Sequence, residues 1–325
     1  MRMMAMEKRN DADNNPKKND LKISVIVPVF NEEINLMPLM QRLMKVLDCY
    51  LSREILFVDD GSTDGTLDIL RTISRQYSFT RYLSFSRNFG HQSALRAGLM
   101  QANGDCVISL DADLQHPPEI IPEMILRWQE GYEIVVAIRS RAATLPFLKK
   151  VSSCLYYRIL NSLSDIHFDE GAADFRLLDR KVVLVLRQLS EQNLFLRGIV
   201  NWVGFRKYAI TYEQEKRVRG ASKYSIHKMV QLAMQGITAF SVRPLRLATV
   251  TGLIIAGLAA IYAIYALIMY VFTSRTVVGW TSLIVSILFL GGIQMFLLGI
   301  IGEYLGRLFI DSKRRPDYII REEGP

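Results

Sequence analysis

Apolar and polar positions fall into three regimes along the chain. From Leu21 to about residue 140, short apolar runs alternate with segments whose apolar residues recur at helical spacing. The runs "LKISVIVPVF" (Leu21 to Phe30), "EILFVDD", "TRYLSFS", "CVISLDAD" and "EIVVAIRS" are short, and the first is strongly β-branched, as expected of strands covered on both faces. Between them, "NEEINLMPLMQRLMKVL", "GSTDGTLDILRTIS" and "HQSALRAGLMQA" predict helices. Asn31 is the expected N-cap of the first, and Asn103-Gly104 ends the third. Strands alternating with helices predict an α/β domain with a mostly parallel sheet and right-handed crossovers. Ligands of such sheets bind at the C-terminal strand ends. The polar clusters "PVFNEE", "DDGSTDG", "SRNFGHQ" and "DADLQ" fall there, so four clusters converge on one edge.

The second regime begins at Pro146. "PFLKKVSSCLYYRILNSL" has helical amphipathicity, and residues 147–163 suit either a helix packed on the sheet or one lying on a membrane surface. "SIHKMVQLAMQGITAF", within a juxtamembrane segment 225–246, is of the same kind. The third regime is apolar. Leu247 to Phe272 carries no charge, and its 26 residues reach roughly 39 Å as a helix, against a hydrocarbon core of roughly 30 Å. A second span runs from Val277 to about Gly302, with only a short turn containing Arg275 between the two. The expected organisation is a polar tail over residues 1–20, an α/β domain over 21–224, the juxtamembrane segment, a two-helix hairpin within 247–306 (spans 247–272 and 277–302) and a basic tail over 307–325. Arg243 and Arg246 before the hairpin and Arg307, Lys313, Arg314 and Arg315 after it put both outer ends, and the α/β domain, in the cytoplasm. Gly302 and Gly306, with the stripe Gly252, Ala256 and Ala260, allow close helix packing between subunits of a homo-oligomer.

Composition changes this picture little. Half of the 325 residues are hydrophobic, an excess concentrated in the last quarter. The net charge of +8 suits nucleic acid or an anionic membrane, and the apolar spans favour the membrane, with no nucleic acid expected. Residues 1–20 contain no apolar core long enough for a signal peptide and are expected to be disordered. Cys49, Cys106 and Cys154 lack metal-ligand spacing and read as packing residues. The four histidines, His91, His116, His167 and His227, are scattered, and none reads as a metal ligand.

The strand end "SLDADLQHPPE" carries the sharpest chemistry. Asp111, Asp113 and Gln115 alternate where the backbone leaves an apolar strand. Carboxylate and amide oxygens suit Mg²⁺ or Mn²⁺, hard cations that also take phosphate oxygens. Such an ion would offset the clustered acids and bind a diphosphate. The GxxxxGK phosphate loop is absent, and no GxGxxG follows the first strand, which excludes a P-loop enzyme and argues against a dinucleotide oxidoreductase.

"VIVPVFNEEINL", "FVDDGSTDGT", "SRNFGHQSALRAGL" and "SLDADLQHPPE" together resemble the successive motifs of family-2 glycosyltransferases with the GT-A fold. "GAADFRLLDRKVV", "LFLRGIVNWVGF", "RVRGASKYS" and the two apolar spans resemble a narrower branch, which moves a sugar from a nucleotide to polyprenyl phosphate. That branch includes dolichol-phosphate mannose synthases and bactoprenol glucosyltransferases. The resemblance covers the chain after residue 20. It implies an inverting, metal-dependent transfer of glucose from UDP-glucose to undecaprenyl phosphate at the cytoplasmic face of the cell membrane. It implies that Pro28, Phe30 and Glu32 form the first nucleotide loop, that Asp59 and Asp60 recognise base and ribose, and that Asp111 contacts the nucleotide. Asp113 and Gln115 would ligate Mg²⁺ or Mn²⁺, and Asp174 would be the catalytic base near the acceptor. Arg217, Arg219, Ser222 and Lys223, just before the apolar spans, would receive the lipid phosphate. Two rivals are a processive polysaccharide synthase, whose QxxRW motif is absent here, and a catalytically silent membrane scaffold.

Overall fold

The computed structural model describes residues 21–140, 172–189, 191, 195–213, 241–273 and 279–325. The expected interfacial helix at 147–163, the tail over 1–20, residues 225–240 of the juxtamembrane segment and the expected phosphate-binding residues Arg217, Arg219, Ser222 and Lys223 lie outside the described residues, as do Cys154, His167 and His227. One compact unit holds the described residues up to 213 together with Pro316–Pro325, and a second holds those from 241 to 315.

The first unit is built as the alternating pattern requires. β1 (Lys22–Val29), β2 (Ser52–Asp59), β3 (Thr80–Phe85) and β4 (Cys106–Ser109) are parallel neighbours in the order β4-β1-β2-β3. Helices α1 (Glu33–Leu47), α2 (Thr66–Gln76) and α3 (His91–Gln101) connect them. β1 is buried over seven of its eight residues, which is why its sequence is apolar without alternation. α1 turns Leu36, Leu39, Met40, Leu43 and Leu47 onto the sheet at helical spacing. After α4 (Ile121–Gln129) comes β5 (Ile134–Arg139).

The pattern did not predict three further strands. β6 (Ala172–Asp179) inserts between β4 and β5 and runs antiparallel to both. Helices α5 (Arg180–Gln188) and α6 (Leu196–Trp202) follow, and β7 (Lys207–Tyr212) pairs parallel with β5. The sheet order is then β7-β5-β6-β4-β1-β2-β3-β8. β8 (Ile320–Gly324) is antiparallel to β3 and comes from the segment expected to be a basic tail. Its burial alternates along the strand and three of its five residues are charged, which suits an edge strand. Glu322 holds it there, accepting from Arg71 Nε at 2.8 Å and Tyr82 OH at 2.6 Å. Tyr318 stacks on Phe85 with centroids 5.0 Å apart, and Asp317 pairs with Arg96 at 2.5 Å.

The second unit contains two long helices, α7 (Arg243–Thr273) and α8 (Trp280–Ser312), both long and apolar enough to cross a membrane. They exceed the expected spans at their outer ends. Tyr304 OH donates to Ser241 O at 2.7 Å, joining the end of α8 to the start of α7, as in an antiparallel hairpin. Their large apolar side chains, Leu253, Leu258, Phe289, Met295 and Phe296 among them, are exposed. Among the described residues, a Cβ at Gly252, Gly302 or Gly306 would meet nothing within 4 Å, so these glycines serve no close packing there.

Candidate active site at the strand ends

The parallel register brings the polar clusters together. Val29 lies opposite Asp59, Asp59 opposite Ser84, and Ile26 opposite Ser109, so β1 to β4 end along one edge. The first two loops are bonded to each other there. Asn31 does not cap α1. It sits at φ 56, its Oδ1 accepts from Thr63 N at 2.8 Å, and its own N–H donates to Ser62 Oγ. Glu32 N donates to Thr66 Oγ1, and Glu33 accepts from Gly65 N. Pro28 lies in the buried part of β1, which ends at Val29, while Phe30 stands exposed beyond it.

Asp59 and Asp60 lie where the nucleotide loop was expected, and both are buried. Each already has internal work. Asp59 accepts from Ser62 N at 3.0 Å and from Ser84 Oγ at 2.7 Å. Asp60 accepts from the N–H groups of Phe89 at 2.7 Å and Gly90 at 2.9 Å, which ties the "SRNFG" loop to β2. Burial pushes the Asp60 carboxyl up, against the pull of those donors. Gly61 separates this pair from the rest of its loop at φ 71, where an added Cβ would stand 2.4 Å from the Arg87 carbonyl carbon. Only glycine satisfies both conditions.

The acidic turn follows β4. Leu114 takes φ 61, and Asp113 Oδ1 accepts from Gln115 N at 3.1 Å. Asp111 lies between two histidines. His91 Nε2 is 2.8 Å from its Oδ1, and His116 Nδ1 accepts the Asp111 N–H at 3.2 Å. Desolvation would raise the Asp111 carboxyl, but His91 holds it below its ordinary value. His116 is fully buried, stacks on Phe175 and meets Tyr212 edge-on, and burial lowers its pKa. Arg139 reaches both His116 Nε2, at 3.5 Å, and Tyr212 OH, at 3.3 Å.

Asp174 reaches this edge because β6 is antiparallel, so its beginning lies beside the end of β4. Ser109 Oγ donates to Asp174 O at 2.6 Å. The side chain is 1% exposed and is gripped from two sides. Arg176 Nη2 donates to Oδ1 at 2.6 Å, while Arg197 Nη2 donates to Oδ2 at 2.7 Å and its Nε reaches both oxygens at 3.1 Å. His91 Nδ1 stands 3.8 Å away. Desolvation acts to raise this carboxyl, yet Arg197 and Arg176 together hold it well below the usual carboxylate range. The expectation that Asp174 is a base does not fit this setting, because a carboxylate so stabilised in its charged form takes up a proton poorly.

His91, His116, Arg139, Arg176 and Arg197 were not singled out as site residues from the sequence. The signal available was adjacency to motifs: His91 follows "SRNFG", His116 follows "DADLQ", and Arg197 lies in "LFLRG". The donor chemistry of the turn fits a divalent ion. Asp113 and Gln115 offer hard oxygens, and no group of three or more His, Cys, Asp and Glu suited to a metal occurs among the described residues. Few protein ligands are what Mg²⁺ has when substrate phosphates and water complete its shell.

Comparison with known proteins gives two family matches. Residues 24–185 match the model described as "Glycosyl transferase family 2", and residues 243–308 match "GtrB C-terminal hairpin". An uncharacterized glycosyltransferase, YkcC of Bacillus subtilis, is 44% identical over 93% of this chain and 94% of its own length. A prophage bactoprenol glucosyl transferase homolog of Escherichia coli is 42% identical over 93% of this chain and 99% of its own. The bactoprenol glucosyl transferase of Shigella phage SfV is also 42% identical, over the same shares.

Proposed function

The chain belongs to glycosyl transferase family 2, and on that premise we propose that it moves glucose from UDP-glucose to a polyprenyl phosphate such as undecaprenyl phosphate. The observation that carries this reading is the extent of likeness to bactoprenol glucosyl transferases, which takes in the strand-end site and the apolar helix pair alike.

A phosphate oxygen of the acceptor attacks the anomeric carbon as the bond from that carbon to the diphosphate breaks. UDP leaves from the opposite face, so configuration inverts. A phosphate monoester has a second pKa near 6, so the nucleophile is already mostly ionised at neutral pH and needs little help from a base. This agrees with the ion-paired state of Asp174. Pro28, Phe30, Glu32, Asp59, Asp60 and Asp111 are the proposed nucleotide-sugar residues, with the Asp59 and Asp60 struts shaping the loops that meet the base and ribose. Asp113 and Gln115 would hold Mg²⁺ or Mn²⁺, which when bound stabilises charge on the leaving diphosphate. Arg217, Arg219, Ser222 and Lys223 are the proposed lipid-phosphate residues. The helix pair α7 and α8 keeps the enzyme where its lipid acceptor is dissolved. The chain belongs to one unit both before this pair and after it, from Pro316 onward, which requires an even number of crossings. The flanking arginines and lysines support a cytoplasmic position for that unit.

The test is incubation of purified full-length enzyme with undecaprenyl phosphate and a panel of nucleotide sugars, with the lipid product read by mass spectrometry. A hexose adduct formed from UDP-glucose above all other donors is expected. Long polymer would favour a processive synthase, and no product with any donor would favour a silent scaffold.

A further inference from the structure

Asp174 is shared by two guanidinium groups, those of Arg176 and Arg197. Arg176 alone would neutralise Asp174: it is 7% exposed, bonds to Oδ1 at 2.6 Å and is fixed by the strand it shares with its partner. Arg197 adds a second guanidinium to the same carboxylate, from a different element of the fold. Its side chain is 32% exposed, whereas those of Asp174 and Arg176 are buried, so of the two guanidiniums it is the one that reaches solvent. It is also held in one orientation, with Nε and Nη2 both directed to Asp174. Gln92 strengthens the hold by accepting from Leu196 N at 3.3 Å, which fixes the backbone next to Arg197. The cluster lies at the working edge of the sheet. His91 spans from Asp174 to Asp111, and Asp111 begins the acidic turn.

We propose that Arg197 receives a phosphate group of the substrates and that Asp174 is the positioning residue that orients it. The proposal rests on the glucosyl-transfer reading above. An oriented guanidinium suits a phosphate because its planar donors match phosphate oxygens and its charge does not depend on pH. Its anion is either the diphosphate of the donor or the monophosphate of the lipid, and kinetics separate them. On this view Asp174 takes no proton at any step. It stays ionised and acts through Arg197.

The experiment uses full-length enzyme, with wild-type product identified first by mass spectrometry; without that product the parent reading fails, whatever Arg197 does. Arg197→Ala, Arg197→Lys, Asp174→Asn and the double variant Asp174→Asn/Arg197→Ala are then compared. Arg197→Ala should raise KM at least tenfold for one phosphate substrate: for undecaprenyl phosphate if the lipid phosphate is the partner, for UDP-glucose if the diphosphate is. UDP binding measured by calorimetry should weaken only in the second case. Arg197→Lys should recover part of the loss and, if the alanine variant does not fold, serves as the readout in its place. Asp174→Asn should reproduce the same KM change with no new pH dependence, and the double variant should be no worse than Arg197→Ala alone, because the two residues act as one unit. The proposal is overturned if folded Arg197→Ala keeps both KM values and kcat. It is equally overturned if Asp174→Asn loses far more activity than Arg197→Ala and regains it as pH rises, the behaviour of a base.

Discussion

At the scale of single residues, the site combines groups that can meet a ligand with groups that only hold others in place. Asp113 belongs to the first kind. Asp113→Ala should lower transfer at least about a hundredfold, since even outer-shell partners of a metal cost 10–100-fold. It should also remove the part of UDP affinity that EDTA abolishes in the wild type; full activity, or wild-type activity indifferent to EDTA, would sink the metal assignment. Gly61 belongs to the second kind. Gly61→Ala forces a Cβ against the Arg87 backbone at a φ of 71. A destabilisation of roughly 1–3 kcal/mol is expected, read as a lower midpoint of thermal unfolding. An unchanged midpoint would mean that the loop relaxes freely.

Among elements, β8 is the least expected and the most exposed to test. It adds an edge to β3, and through Tyr318 and Asp317 it braces Phe85 and α3, the two ends of the "SRNFG" loop. Ending the chain after Arg315 should lower the thermal midpoint and raise KM for UDP-glucose, because that loop also carries the N–H groups that hold Asp60. Glu322 supplies a pH signature. Its bonds to Arg71 and Tyr82 hold its pKa down at about 2, below the ordinary glutamate value of 4.5. A lowered folded-state pKa stabilises the fold fully above the unfolded value, and the contribution fades as pH falls from about 4.5 toward 2. The midpoint difference between wild type and Glu322→Gln should therefore shrink on acidification across that window. A difference constant from pH 6 to pH 3 would show that the charge of Glu322 contributes nothing.

For the whole molecule, the central question is how the chain meets the membrane. The apolar helices α7 and α8 interrupt a chain whose earlier and later parts belong to one sheet. After replacement of Cys49, Cys106 and Cys154 by serine, a single cysteine at Thr273 should react with an impermeant thiol reagent added outside intact cells. One at Arg314 should react only after the membrane is opened. Equal labelling of both from outside would show that the pair does not cross. It would also remove the membrane as the reason for the exposed apolar side chains of both helices.

The amino-acid sequence by itself determined β1 to β5, the helices α1 to α3, the two long apolar helices and the acidic turn at Asp111 to Gln115. Each is written in local periodicity or close spacing, which one stretch of chain specifies alone. The tertiary structure decided the direction of β6, the addition of β8 and the meeting of His91, His116 and Arg197 with Asp111 and Asp174. Strand direction in a sheet depends on which neighbours a strand finds, and β6 finds β4 and β5, while β8 finds β3 across more than two hundred residues of chain. The state of Asp174 has the same origin. In sequence it is an acidic residue two places before an arginine. Only in the fold does Arg197, near the start of α6, close on its other side and hold it charged.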